Sequence, residues 1–265
     1  MVEVKEIQAS VFLKSATLLA VALALPLALP LAGCGRRPAA VAEPPDAAAP
    51  GYAAPPTASG LSGQTLTGMA EPGAKVRLNS PGGAALETNA GADGLWRLAL
   101  PPSPEPRIFG VSETTGGRRV QGQGYVLVDP GGKAAVLRAG AGALRLDPRP
   151  SPALTALDYD AAGGAVISGT APAQSLVFLK LDGRQLAEAK ADAGGRYTIS
   201  LAQPLERGVH TIEVSGDAFK SAARAEVSRP APLVAGPLRR QLVTGGLRAD
   251  WLTPGGGVQT TLLFD

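Results

Sequence analysis

Three kinds of side chain in this sequence can carry chemistry: a single cysteine, a single histidine and a few closely spaced aspartates. Cys34 stands in LPLALPLAGCGRR, between an apolar run and two arginines. Being the only cysteine, it has no partner for an intrachain disulfide. His210 lies in GVHTIEV. A histidine-based triad also needs a nucleophile and an acid, and no local spacing supplies them. His210 therefore reads as a residue of a strand. Asp158 and Asp160, in LDYDAAGG, have the oxygen chemistry of a hard-cation ligand. Calcium takes six to eight oxygens. Only Asp147 and Asp192 lie near enough to be added, without a recognisable spacing, so the expectation for Asp158 and Asp160 is a solvated turn. The glycine-rich stretches GYVLVDPGG and TPGGG lack the strand–glycine–helix context of a phosphate loop. The sequence thus predicts no catalytic set, no metal site and no cofactor.

Composition narrows the partners. Twenty-five basic and 22 acidic residues leave a net charge of +3. The excess is spread out, and basic residues do not alternate with aromatics, so no nucleic-acid surface is expected. Aromatics make up 4% of the chain, too few to suggest a carbohydrate platform.

The residues around Cys34 say where it sits. Lys5 and Lys14 precede an apolar run from Ala16 to Gly33, in the order of an export signal. The run is near the lower length limit of a membrane span, and Pro26 and Pro30 would interrupt a spanning helix. Its end, Leu31-Ala32-Gly33-Cys34, resembles the lipobox of bacterial lipoproteins. That resemblance implies cleavage after Gly33 and a diacylglyceryl group, with palmitate-type acyl chains, on Cys34. Membrane lipid then becomes a partner through the anchor, since each buried methylene contributes about 0.8 kcal/mol. Gly35, where an aspartate would retain a lipoprotein at the inner membrane, implies an outer-membrane anchor facing the periplasm.

Residues 38–58 are mostly proline and alanine, with six prolines. They predict an extended tether reaching roughly 60 Å. Beyond it the pattern changes and repeats. LTGMAEPGAKVRL from Leu66 and ISGTAPAQSLVFL from Ile167 match at a shift of 101 residues. The shift pairs Gly68 with Gly169, Val76 with Val177, Trp96 with Tyr197 and Leu98 with Ile199. Within each copy apolar residues alternate with polar ones, the period of a strand with one buried face. Turn signals PGG, ADG, LDG and AGG separate these runs. The second copy has Ala173-Gln174 where the first has Pro72-Gly73, so a different turn is expected there. YVLVDPGGKAAVL and ADWLTPGGGVQTTLL read as hairpins, with Trp251, Leu262 and Phe264 packing inward. In both, the glycine directly after the proline is expected at positive φ. Trp96, Phe109, Phe178, Tyr197 and Trp251 are expected to be buried.

Thr67–Val76 and Ala90–Leu98, with Ser168–Ala171, Ala189–Ile199 and Gly208–Val214, resemble the bacterial immunoglobulin-like domains of cell-envelope proteins. The expected fold is all-β, two tandem antiparallel immunoglobulin-like sandwiches. The expected order is a signal peptide (1–33), a lipidated tether (34–58), a first sandwich (59–148) and a second with a terminal hairpin (149–265). The resemblance implies a non-enzymatic envelope lipoprotein that scaffolds or docks an envelope protein. A peptidoglycan- or glycan-binding module is the alternative.

Overall fold

The computed structural model describes residues 54–265, which hold strands and turns and no helix. The first repeat forms β1 (Thr57–Ser62), β2 (Thr65–Met69), β3 (Lys75–Asn79), β4 (Leu86–Asn89), β5 (Leu95–Ala99), β6 (Arg107–Thr115) and β7 (Arg118–Gln121). β1-β2-β5 make one antiparallel sheet, and β4-β3-β6-β7 pair in a second. Alternation decides what they enclose. Leu66, Trp96 and Leu98 point from the first sheet toward Val76, Leu78 and Val111 of the second, all buried. Charged Lys75, Arg77 and Arg97 take the solvent side. Seven antiparallel strands in two facing sheets are an immunoglobulin-like sandwich.

Next come β8 (Tyr125–Val128), β9 (Ala134–Leu137) and β10 (Leu144–Arg145). The second repeat then gives β11 (Ala153–Asp160), β12 (Ala165–Thr170), β13 (Leu176–Leu181), β14 (Arg184–Lys190), β15 (Arg196–Ser200), β16 (Gly208–Gly216) and β17 (Phe219–Val227). Their pairing repeats the first copy: β11-β12-β15 opposite β14-β13-β16-β17.

The shared motif residues have a common physical cause. Gly68 pairs across the sheet with Trp96, and Gly169 with Tyr197. A Cβ on Gly68 would stand 2.3 Å from the indole, and one on Gly169 would stand 2.2 Å from the phenol oxygen. Each glycine is the floor on which the aromatic ring lies. The turn expected to differ does not. Gly73 has φ 73°, and Gln174 takes the same left-handed conformation at φ 61°. The neighbouring hydrogen bonds match too: Ala74 N donates to Glu71 O, and Ser175 N to Pro172 O. Closure of the sandwich over-determines this turn, so glutamine is held where glycine is favoured.

The Pro-Gly-Gly segments are hairpins, β8–β9 and, after β18 (Leu238–Val243), β19 (Gly246–Leu252) with β20 (Val258–Phe264). The positive φ falls on the second glycine, Gly132 and Gly256, not on the first. Gly132 N donates to Asp129 O and Gly256 N to Thr253 O, each closing a turn before the left-handed residue.

The two hairpins join different sheets. β8 pairs with the start of β6, extending the second sheet of the first sandwich. β20 pairs with β11, so β20-β19-β18 extend the first sheet of the second sandwich. β8 and β9 are apolar at nearly every position. Val126, Val128 and Val136 face into the first sandwich, and Leu127, Ala135 and Leu137 face away. The latter pack on Ala156, Leu247, Ala249, Trp251 and Leu263, which form the outer face of the extended β11-β20-β19 sheet. Leu262 and Phe264 point the other way, into the second sandwich. Trp251 therefore lies across the sheet from them, in the core shared by both repeats. The described residues stack as four sheets with three apolar interlayers.

Two predictions follow from these positions. Gln174→Gly raises the unfolding free energy by about 1 kcal/mol, because relief of the left-handed strain exceeds the entropy glycine adds to the unfolded chain. The reverse change, Gly73→Gln, lowers it by a similar amount; urea midpoints read both. Trp251→Ala costs about 3–5 kcal/mol and shifts fluorescence and far-UV transitions together, since both sandwiches rest on the same interlayer.

Candidate interaction site

The polar residues singled out in the sequence serve the scaffold. His210, on β16, has its Nδ1 2.7 Å from Asp182 Oδ2 and its Nε2 2.9 Å from Glu206 O. Thr211 N donates to the other Asp182 oxygen. Partial burial works against the imidazolium, but the two acceptors outweigh it and raise its pKa. The hydrogen bond from His210 holds the Asp182 carboxyl below its ordinary value. Asp182 itself sits in the β13–β14 turn at φ 50°. The histidine thus clamps a turn.

Asp160 accepts from Ala162 N and Gly164 N, and Asp192 from Gly194 N and Arg196 N. Asp147 pairs with Arg145 and accepts from Ala134 N. Asp158 departs from the solvated turn expected of it. It is 2% exposed, at the seam between the repeats. Ala143 N, Gln259 Nε2 and Thr261 Oγ1 all donate to it. Thr261 in turn accepts from Trp251 Nε1, and Ser168 Oγ donates to Ala143 O. Position 158 shares a strand face with Ala156, so the cross-repeat interlayer buries it. Nothing local in LDYD reveals that. Among the described residues no three His, Cys, Asp or Glu side chains converge as a metal shell would need. Cys34 and the Leu31, Ala32 and Gly33 motif lie outside the described residues.

The open features are clefts. The sheet of β15-β12-β11-β20-β19-β18 has six strands, and its partner β14-β13-β16-β17 has four. β17 lies over β11, where Leu154 N donates to Ser221 Oγ and Ser228 N to Tyr159 Oη. The larger sheet therefore runs on past β17. A cleft of about 430 Å³ opens beside β17, with Val209, Arg224 and Glu226 on one wall and Val243, Arg248 and Phe264 on the other. Its inner end is pinned by charge. Arg248, 8% exposed, donates through Nε to Asp250 Oδ1 and through Nη2 to the carbonyls of Ser228 and Arg229. Thr260 Oγ1 donates to the same Asp250 oxygen at 2.6 Å. The guanidinium also donates through Nη1 to Ser228 Oγ, so most of its N–H groups are engaged in anchoring the β17–β18 connection. A more open groove of about 570 Å³ lies between the sandwiches, lined by Asn79, Pro81, Ile108, Gln121, Tyr125 and Leu252. Phe178, expected to be buried, is half-exposed on the outer face of β13. Trp96, Phe109, Tyr197 and Trp251 are buried. Among the described residues no aromatic ring is fully exposed as a sugar-stacking surface.

No protein-family model matches the chain. No curated protein matches its sequence. Solved structures show likeness, two of them as follows. One is the BSP domain of a biofilm-associated protein, at 15% identity and TM-score 0.25, covering 68% of this chain and 30% of that one. The other is a central fibronectin-III array of RIM-binding protein, at 12% identity and TM-score 0.27, covering 79% of this chain and 88% of that one. This chain thus spans under a third of the biofilm-associated chain. The fold assignment rests on the strand order described above.

Burial pushes the Asp158 carboxyl up to about 6 from 3.8, against the lowering effect of the donors from Thr261, Ala143 and Gln259. A pKa raised on folding contributes stability that is complete below the unfolded value and is lost as pH rises through the folded one. Wild type should therefore lose about 2 kcal/mol relative to Asp158→Asn between pH 4 and pH 7. Urea titrations of both proteins across that range check the slope; parallel curves would show that Asp158 ionises freely in the fold.

Proposed function

We propose that this chain is a non-enzymatic cell-envelope lipoprotein, held by acyl chains on Cys34, whose double sandwich docks another envelope protein. The observation that carries the reading is where the charged side chains go. His210, Asp158, Asp160, Asp182, Asp192 and Arg248 are each spent on turns, connections and the seam. Each of them has a structural partner, and in this reading surface shape and sheet edges carry the function.

The order of the layers suits a tethered module. The described chain enters through β1, in the outermost sheet of the first repeat. The cleft beside β17 belongs to the outermost sheet of the second. At about 10 Å per sheet spacing, roughly 30 Å separates entry from cleft. Confinement to a membrane by an anchor on Cys34 would raise the effective concentration of the sandwiches for a partner. Gly35 favours an outer-membrane anchor facing the periplasm, and the small, dispersed excess of positive charge gives no support to a nucleic-acid role.

Detergent phase partitioning tests the anchor. Wild type is expected in the detergent phase at its processed mass. Cys34→Ala is expected in the aqueous phase or unprocessed; entry of the processed variant into detergent would sink the lipoprotein reading. Retention of the protein on washed cell-wall sacculi would move the function to peptidoglycan binding.

A further inference from the structure

We infer that β17 is an acceptor edge: an extended segment of a partner polypeptide adds to it as a fifth strand, filling the cleft above β20. The inference rests on the docking reading and gives the partner a chemistry.

Three observations converge on this edge. First, β17 pairs along all nine of its residues with β16 in unbroken register, and its other side has no strand partner among the described residues. Natural sheet edges are usually blunted by bulges, prolines or short length. β17 has no bulge or proline and runs nine residues, so its only such protection is the charge of Lys220, Arg224 and Glu226 on its outer face; the ladder to β14, the opposite edge of the same sheet, is interrupted by a bulge between Leu179 and Lys180. Second, the larger sheet extends beneath the vacant position. An added strand would lie about 4.8 Å from β17, over Phe264 and Leu262 of β20. Its inward side chains would meet that apolar floor, and small apolar residues suit the cleft. The same overhang excludes a second copy of β17 as the occupant. A copy paired edge to edge would bring its own β11 sheet into the layer already filled by β20-β19-β18.

Third, the rim has charge to be matched. Along β17, Ala225 and Val227 face the core, so Lys220, Ala222, Arg224 and Glu226 share the outer face. Lys220 is paired with Glu213 at 2.6 Å. Arg224 and Glu226 make no ion pair among the described residues. In an antiparallel addition, the residue opposite Glu226 comes two positions before the residue opposite Arg224. The complementary strand therefore reads lysine, apolar residue, glutamate, with apolar residues at alternate positions.

The probe is an amidated eight-residue peptide with valine at every second position and Lys-Val-Glu at its centre, added to the full chain in detergent micelles. Amide hydrogen exchange should slow on the free edge of β17, between Phe219 and Glu226, and nowhere else in the β-sheets. Arg224→Glu should weaken binding roughly fivefold to tenfold. The double variant Arg224→Glu, Glu226→Lys should recover it for a peptide carrying Glu-Val-Lys. N-methylation of the peptide amides on one edge should abolish binding, and on the other edge should not. Lack of binding at millimolar peptide, protection on another edge, or indifference to both charge reversal and N-methylation would overturn the assignment. These readouts are independent of Cys34, so they fail or succeed separately from the anchor.

Discussion

A strand that is apolar on both faces has to be covered twice, and that constraint shapes this molecule. β8, β9 and β20 carry large side chains on each side of the pleat. One side of each fills the interior of its own sandwich. The other would be exposed on an isolated domain, and the repeats solve this by covering each other. Leu127 and Leu137 from one copy meet Trp251 and Leu263 from the other in a buried apolar interlayer. The two copies are thus one continuous stack, closer to a single body than to beads on a linker.

Polar groups at the seam make the stack specific. A purely apolar interlayer could slide, because dispersion and burial have little direction. Asp158 accepts hydrogen bonds from both repeats, with Ala143 on one side and Gln259 and Thr261 on the other. Arg240 reaches from β18 to Asp129 in the first hairpin turn at 2.6 Å, and Lys133 pairs with Asp265. Arg145 donates to Phe264 O, so the last strand is tied to the first repeat by its backbone as well. At the buried Asp158 and Asp129, much of the attraction only offsets desolvation.

His210, Asp160, Asp182 and Asp192 hold turns, and Asp158 holds the seam. The unequal widths of the two sheets in the second sandwich leave an overhang, which floors the cleft beside β17, an edge without a strand partner among the described residues. The terminal hairpin is therefore responsible for the shared core on one face and for the cleft on the other.

Much of this was legible in the residues themselves. Period-two alternation in KVRL and LWRLAL announces strands and names their buried face, because the pleat sends alternate side chains to opposite sides. The register of the two copies and both Pro-Gly-Gly hairpins could be read from spacing alone, whereas the aromatic-over-glycine pairs needed the cross-strand register. Cys34 and its flanking residues speak only as sequence. The tertiary structure decided the rest. Which sheet each hairpin joins depends on pairing with strands far away in the chain. Whether Asp158 meets water or Ala143 depends on a layer supplied by the other repeat. Gln174 takes a glycine conformation because the closed sandwich around it permits no other path. Local pattern reports how one strand divides its faces; only packing determines what lies against each face, since burial is a property of two surfaces brought together.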